Sequence, residues 1–500
     1  MQGTAVRRAL TLASVAAAMA AAWAVSPPAA HAATGCAASN DFDGDGRVDA
    51  AVGAPGGSGR PGFVEVRLSG ADGTRAVEVA EPGGHGGDRF GAAVAEVADH
   101  HAGDSRSRCS LLAVGAPGRD VGGVRDAGAV FLFAYDRSEG AFALLNELHQ
   151  GADGVPGNPQ AGAGFGSVLA SRDHGAGATD PVVRPLYAGI PGATVGGHAA
   201  AGAFARLTFT GADVPTVDQG TLVSQDSTGV PGTAETGDRF GASLAVLEDF
   251  GVAAGAPGEA IGSAAGAGGV VLWYERNPDL NRFLSQDTAG FPGTAEAGDH
   301  FGAALYSALE TMSDDDGSFH LLLGVPGEDI GSARDAGAAC DVDVDFSEID
   351  WPTGVNQNTP GVAGTVESGD RFGSSFATVG VENGYLVGVP GEDVGDVEDA
   401  GMVETVGDGR SWSEQAAGVP GRAEAGDGFG AVLGNAAVPM DHDAGPDAWL
   451  EAVTVGVPGE DSGAGAVVAG LPGGSRAPQE WKQASPSAGD GYGYALGRTN

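Results

Sequence analysis

The chain has 500 residues, 89 of them glycine, with 42% hydrophobic residues, 18% charged residues and a formal net charge of −41. Glycine at this density excludes a long-helix protein. The charge excludes nucleic acid and anionic lipid surfaces as partners and suits cations or a basic partner.

The N-terminus reads as an export signal. Arg7 and Arg8 precede an uncharged apolar run from Ala9 to Val25, and Ala30-His31-Ala32 fits a small-x-small cleavage site. The run is short for a membrane anchor, and Pro27 and Pro28 favour cleavage. Residues 1–32 are therefore expected to be a signal peptide and residues 33–500 a secreted, extracellular chain. The Arg7-Arg8 pair leaves Sec and twin-arginine export both open. No later segment is apolar enough to span a membrane. Cys36, Cys109 and Cys340 are the three cysteines. Export permits a disulfide, but an odd count leaves at least one thiol over.

The next segment, "DFDGDGRVDAAVGAP" (Asp41 to Pro55), places carboxylates at Asp41, Asp43 and Asp45, with Gly46 after them. Side chains at positions 1, 3 and 5 of a tight loop converge, as a calcium ion requires, and a glycine at position 6 permits the turn. An EF-hand would need Glu at position 12, which is Val52, and flanking helices, which "AAVGAP" does not offer.

From here a repeat runs to the end. An aromatic followed by glycine recurs at Phe90, Phe165, Phe240, Phe301, Phe372, Phe429 and Tyr492, at spacings of 75, 75, 61, 71, 57 and 63 residues. A Gly-x-Pro motif interleaves with it, ending at Pro55, Pro117, Pro191, Pro257, Pro326, Pro390 and Pro458. Gln150, Gln225, Gln286 and Gln357 stand fifteen residues ahead of their aromatics, Gln415 fourteen and Gln483 nine. Segments such as "AVFLFAY" (Ala129 to Tyr135) and "GGVVLWY" (Gly268 to Tyr274) are β-branched and aromatic, bounded by glycine and proline. About four strands fit in each unit, which is the content of a propeller blade. The chain opens on a Gly-x-Pro motif with no aromatic-glycine before it and closes on "GYGYALG" (Gly491 to Gly497) with no Gly-x-Pro after it. A ring that must close uses both loose ends in one blade. The expected fold is all-β: a seven-bladed β-propeller of four-stranded blades, closed by pairing the N-terminal strands with the C-terminal strand. An open solenoid needs no such complementary ends.

Fourteen motifs in alternation, with a D-x-D-x-D-G-x-x-D loop before the first Gly-Ala-Pro, resemble the FG-GAP repeat β-propeller of integrin α subunits and related secreted bacterial proteins. The resemblance covers essentially all of residues 33–500 and implies a head fold without integrin legs or tail. It also implies that the loop joins the first and second strands of a blade on the bottom face. There Asp49 supplies the late carboxylate and Arg47 its backbone carbonyl, so that Asp41, Asp43, Asp45, Arg47 and Asp49 hold one Ca²⁺. The other blades depart from this pattern. Asp99 and Asp104, Asp173 and Asp180, Asp314 to Asp316, and the group Asp441, Asp443 and Asp447 read as degenerate loops, the last being the best second candidate. Acidic connections after three Gly-x-Pro motifs place Asp120, Asp126, Glu328, Asp329, Asp335, Glu392, Asp393 and Asp399 on the top rim, readable as a ligand face or as a solubilising rim.

No G-x-S-x-G and no H-E-x-x-H occurs, and the adjacent His100 and His101 form no site. The innermost strands, such as "FGASLAVLED", are small and apolar. The chain is accordingly expected to have no catalytic residues and not to be an enzyme. It is expected to act as a calcium-binding extracellular interaction or adhesion module for a protein or cell-surface ligand. A secreted propeller hydrolase or lyase, and a glycan-binding propeller, are the alternatives.

Overall fold

The structure, a computed structural model, describes residues 40–57, 59–70, 73–98, 110–171, 184–211, 214–247, 251–308, 319–344, 349–378, 384–435, 450, 453–474 and 476–497. They form seven four-stranded antiparallel sheets, the blades of a propeller. The second blade is Ala93–Ala98, Ser110–Ala116, Ala129–Asp136 and Ala141–Leu148, running from the axis outward. The other blades repeat this plan. The first two strands of a blade are buried on both faces because each blade is sandwiched between neighbours; all seven residues of Ser110–Ala116 are buried. Outermost strands show water on one face, and Ala141–Leu148 ends its exposed run on the buried Leu148.

The first blade is built from both chain ends, as expected. Ala495–Leu496 supplies the inner strand, and Ala50–Ala54, Phe63–Gly70 and Gly73–Ala80 the other three. Val52 pairs with Leu496 and Gly53 with Ala495.

The repeat motifs make one contact seven times over. Each aromatic is fully buried, and its backbone N–H donates to a carbonyl just ahead of the third strand of the preceding blade. Examples are Phe90 to Pro61 at 2.8 Å, Phe240 to Ala201 at 2.9 Å and, across the closure, Tyr492 to Ala464 at 3.0 Å. The glycine after the aromatic then bonds within its own blade: Gly91 donates to Gly115 at 3.0 Å and Gly493 to Gly53 at 3.1 Å. Its carbonyl presses on the Gly-x-Pro glycine of the preceding blade. A Cβ on Gly115 would lie 2.1 Å from the Gly166 oxygen, and one on Gly53 equally close to that of Gly91. Only glycine lets two backbones approach so closely. The residue before each aromatic is left-handed, with φ 55° at Arg89, 57° at Arg239 and 64° at Gly491.

Two sequence expectations need adjustment. Gln415 is not the repeat glutamine of its unit, because Glu414 occupies that position, as described below. The D-x-D loop does not join two consecutive strands either. The first strand of its blade comes from the other end of the chain, so the loop caps the entry to Ala50–Ala54. Cys340 is a buried free thiol whose pKa burial pushes up to about 12. Cys36 and Cys109 lie outside the described residues, as does the segment 1–32.

Candidate metal centre

The loop from Asn40 to Asp49 folds against two blades. Asp49 is buried at its end; its Oδ2 accepts the Phe42 N–H at 2.9 Å and its Oδ1 the Ser69 N–H at 2.7 Å. The Asp49 N–H in turn donates to the Asn40 carbonyl at 2.9 Å. These bonds tie the loop to Phe63–Gly70. The second blade holds the other side. Arg137 donates from Nε to the Asp43 carbonyl at 2.5 Å and from Nη2 to the Gly44 carbonyl at 2.7 Å. Phe42 meets Phe142 edge-on, with ring centroids 6.0 Å apart. Gly44 and Gly46 take φ of 67° and 85°, which turns the chain back on itself.

Asp41 is buried; its Oδ1 accepts the Asp45 N–H at 3.0 Å and its Oδ2 the Gly46 N–H at 2.8 Å. Carboxylate oxygens of Asp41, Asp43 and Asp49 all lie within 4.8 Å of one another. Burial raises the pKa of all three. Asp49 reaches about 8, with the Asp43 and Asp41 charges adding to burial and its two N–H donors opposing it. Three carboxylates, two buried and Asp43 half-buried, repel one another and favour a bound cation. Oxygens no more than 4.8 Å apart can share one calcium ion, so the donor set fits that ion.

Asp45 does not join this group. It is exposed, and its Oδ1 accepts the Arg47 N–H at 2.9 Å. Arg47 is exposed on the same turn, its Nε 3.8 Å from Asp45 Oδ2. Ser69, Phe42 and Arg137 hold the loop without any sequence signal that marks them. The loops with Asp99 and Asp104, Asp173 and Asp180, Asp314 to Asp316, and Asp441 to Asp447 lie outside the described residues.

On the opposite face, the acidic rim divides. Asp120, Asp329 and Asp393 accept the N–H groups of Asp126, Asp335 and Asp399 at 3.0, 2.9 and 3.0 Å. They brace turns in which Asp126, Asp335 and Asp399 take positive φ near 50°. Glu328 and Glu392 turn inward instead, to the Nε2 groups of Gln286 and Gln357 at 2.5 and 2.6 Å. A cavity of about 450 Å³ opens on this face, with Arg89, Arg239 and Asp126 in its wall. The central channel is lined by the innermost strands, chiefly Ala, Val, Leu and Ser, with Tyr494 at 53% exposure.

No protein family matches the chain, and no curated protein does. Solved structures that resemble it include Sqt1 of Chaetomium thermophilum, at 12% identity and TM-score 0.43 over 87% of this chain and 82% of that one. Others are candidate 6-phosphogluconolactonases. The one from Bacteroides fragilis has 11% identity and TM-score 0.45, over 90% of this chain and 98% of that one. The one from Bacteroides uniformis has 10% identity and TM-score 0.41, over 90% and 98%. The expectation that the chain is not an enzyme is corrected here. Two of the chains that resemble it carry an enzyme's name, and missing nucleophile and zinc motifs do not by themselves exclude catalysis. Likeness at this level assigns no activity to the chain.

Proposed function

We propose that this seven-bladed propeller is an FG-GAP, integrin α-like protein, exported from the cell, that binds calcium through the Asp41–Asp49 loop and acts as an extracellular interaction module. The observation that carries the reading is the convergence of Asp41, Asp43 and Asp49 within 4.8 Å, with Asp41 and Asp49 each 1% exposed. Asp41, Asp43 and Asp49 would hold the ion, with the Arg47 carbonyl as a further ligand that the motif implies, and Asp45 would have to turn in from its exposed position to complete the motif's set. The ion would clamp the entry strand of the closing blade to its neighbours and so stiffen the junction of the chain ends. Its chemistry there is charge compensation and loop ordering. The ligand in this reading is a protein or cell-surface group, and nucleic acid is not one. Among the described residues no helix is long and apolar enough to cross a membrane.

The test is a calcium count. Chelator-treated protein is dialysed against calcium, and bound ions are counted for wild type and Asp49→Ala. The variant should bind one ion fewer than wild type while keeping its strand spectrum. An unchanged count would overturn the reading.

A further inference from the structure

A second set of buried carboxylates lies in the seventh blade, and the repeat itself shows what is unusual about it. Gln150, Gln225, Gln286 and Gln357 each pack against a glycine seven residues on: Gly157, Gly232, Gly293 and Gly364. Glu414 packs in the same way against Gly421, which makes it the equivalent residue. In the fourth blade Gln225 Nε2 donates to Glu259 Oε2 at 2.6 Å, and the fifth and sixth blades repeat this with Gln286 and Glu328, and Gln357 and Glu392. The partner of Glu414 at that place is Glu460. An amide facing a carboxylate has become a carboxylate facing a carboxylate.

A third acid completes the group. Asp427 is the seventh-unit counterpart of Asp238, Asp299 and Asp370, each of which accepts the N–H three residues earlier. Asp427 accepts the Glu424 N–H likewise. Oxygens of Glu414, Asp427 and Glu460 lie within 4.8 Å of one another, and the three residues are 5%, 1% and 4% exposed. Neither oxygen of Glu414, nor Oε2 of Glu460, has a hydrogen-bond donor among the described residues. Glu460 Oε1 is occupied by Lys482, the single lysine of the chain, at 2.8 Å; Lys482 also holds Asp461 at 2.9 Å.

Glu81 shows how the fold treats a carboxylate beside a glycine of this kind when a cation is supplied internally. It lies against Gly84, and Arg119 stands 3.3 Å from its Oε1. Among the described residues Glu414 has no such arginine. A buried carboxylate without a donor or counter-charge is strongly disfavoured. Lys482 is shared among Glu460, Asp461 and Glu480, so it cannot neutralise the cluster by itself, and a divalent ion would supply the missing positive charge.

We infer that Glu414, Asp427 and Glu460 form a second divalent-cation site, of the hard, all-oxygen class that takes calcium. It lies in the cleft where the chain passes from the sixth blade to the seventh, and it is independent of the Asp41 loop in residues and in blade. The ion replaces the amide bridge that joins the corresponding segments in the fourth to sixth blades.

Glu414→Gln tests this directly, because it restores the pattern of the fourth to sixth blades. Calcium is the probe, added to chelator-treated full-length protein, with bound ions counted by equilibrium dialysis. Wild type should bind two ions at the described sites, Asp49→Ala and Glu414→Gln one each, and the double variant none of these two. Without calcium, Glu414→Gln should melt above wild type, since its amide can donate to Glu460; this also shows that the variant folds. A calcium count for Glu414→Gln equal to that of wild type overturns the inference and points to a proton shared between Glu414 and Asp427. Loss of an ion in Glu414→Gln but none in Asp49→Ala upholds this site and sinks the proposed loop site instead.

Discussion

Arg60 holds Asp490 through two hydrogen bonds from Nη1, at 2.8 and 2.6 Å, although 430 residues separate them. The pair sits where the two ends of the chain are joined. Beside it, Tyr492 donates its hydroxyl to Glu65 Oε1 at 2.6 Å. These side chains reinforce the backbone pairing that makes one blade from two termini and leaves no sheet edge open at the junction.

The closure is therefore expected to be a stability element. Asp490 is buried while Arg60 is about half exposed, so Arg60→Ala strands a carboxylate that, among the described residues, keeps only its bond from the Ser487 N–H. The cost should be about 1–2 kcal/mol, read from the urea midpoint. Deleting residues 489–500 removes the inner strand of the first blade and should abolish the main cooperative transition. A truncated chain that melts like the full one would show that the ring does not depend on this junction.

Gly115→Ala probes the approach of adjacent blades. The added Cβ would meet the Gly166 carbonyl at 2.1 Å, and backbone cannot move aside as a side chain can. A destabilisation of about 3 kcal/mol or more is expected, at the upper end for overpacking. Equilibrium unfolding checks it; a change below about 0.5 kcal/mol, the range of ordinary surface substitutions, would mean that the contact is slack.

Stability of the metal-free chain should fall as pH rises from about 4.5 to about 7. Glu259, Glu328 and Glu392 start from the ordinary glutamate value of about 4.5, and burial pushes each to about 7 against the pull of its glutamine partner. Between these values the folded state binds more protons than the unfolded one. The contribution is fully present below about 4.5 and lost above about 7. A triple Glu→Gln variant at these positions should have a flatter profile of melting temperature against pH than wild type. Identical slopes would assign the dependence to the overall negative charge instead.

Arg137→Ala should loosen the candidate calcium loop without touching a carboxylate. Both of its bonds end on loop carbonyls, at Asp43 and Gly44. Less of the loop is then preorganised, and calcium affinity should drop several-fold while the count of bound ions stays the same. Calorimetric titration separates the two quantities. Unchanged affinity would show that the strand contacts of Asp49 order the loop alone.

The sequence by itself determined the ring, its seven units, its four strands per unit and the blade shared by the two termini. These were legible because every blade must satisfy the same local demands: a buried aromatic at Phe90 or Tyr492, and a glycine at Gly53 or Gly115 where backbones touch. A demand met seven times leaves a period in the chain. Tertiary structure alone decided the rest. The spacing of glutamines suggested Gln415, yet Glu414 fills the cleft and Gln415 donates to the Val394 carbonyl. Asp45 has the motif position of a ligand, but backbone hydrogen bonding turns it outward while Asp41, Asp43 and Asp49 converge. Arg137, Lys482 and Glu460 act on partners far from them in sequence or on neighbouring segments. Their roles follow from how blades pack, and a contact made once leaves no period to read.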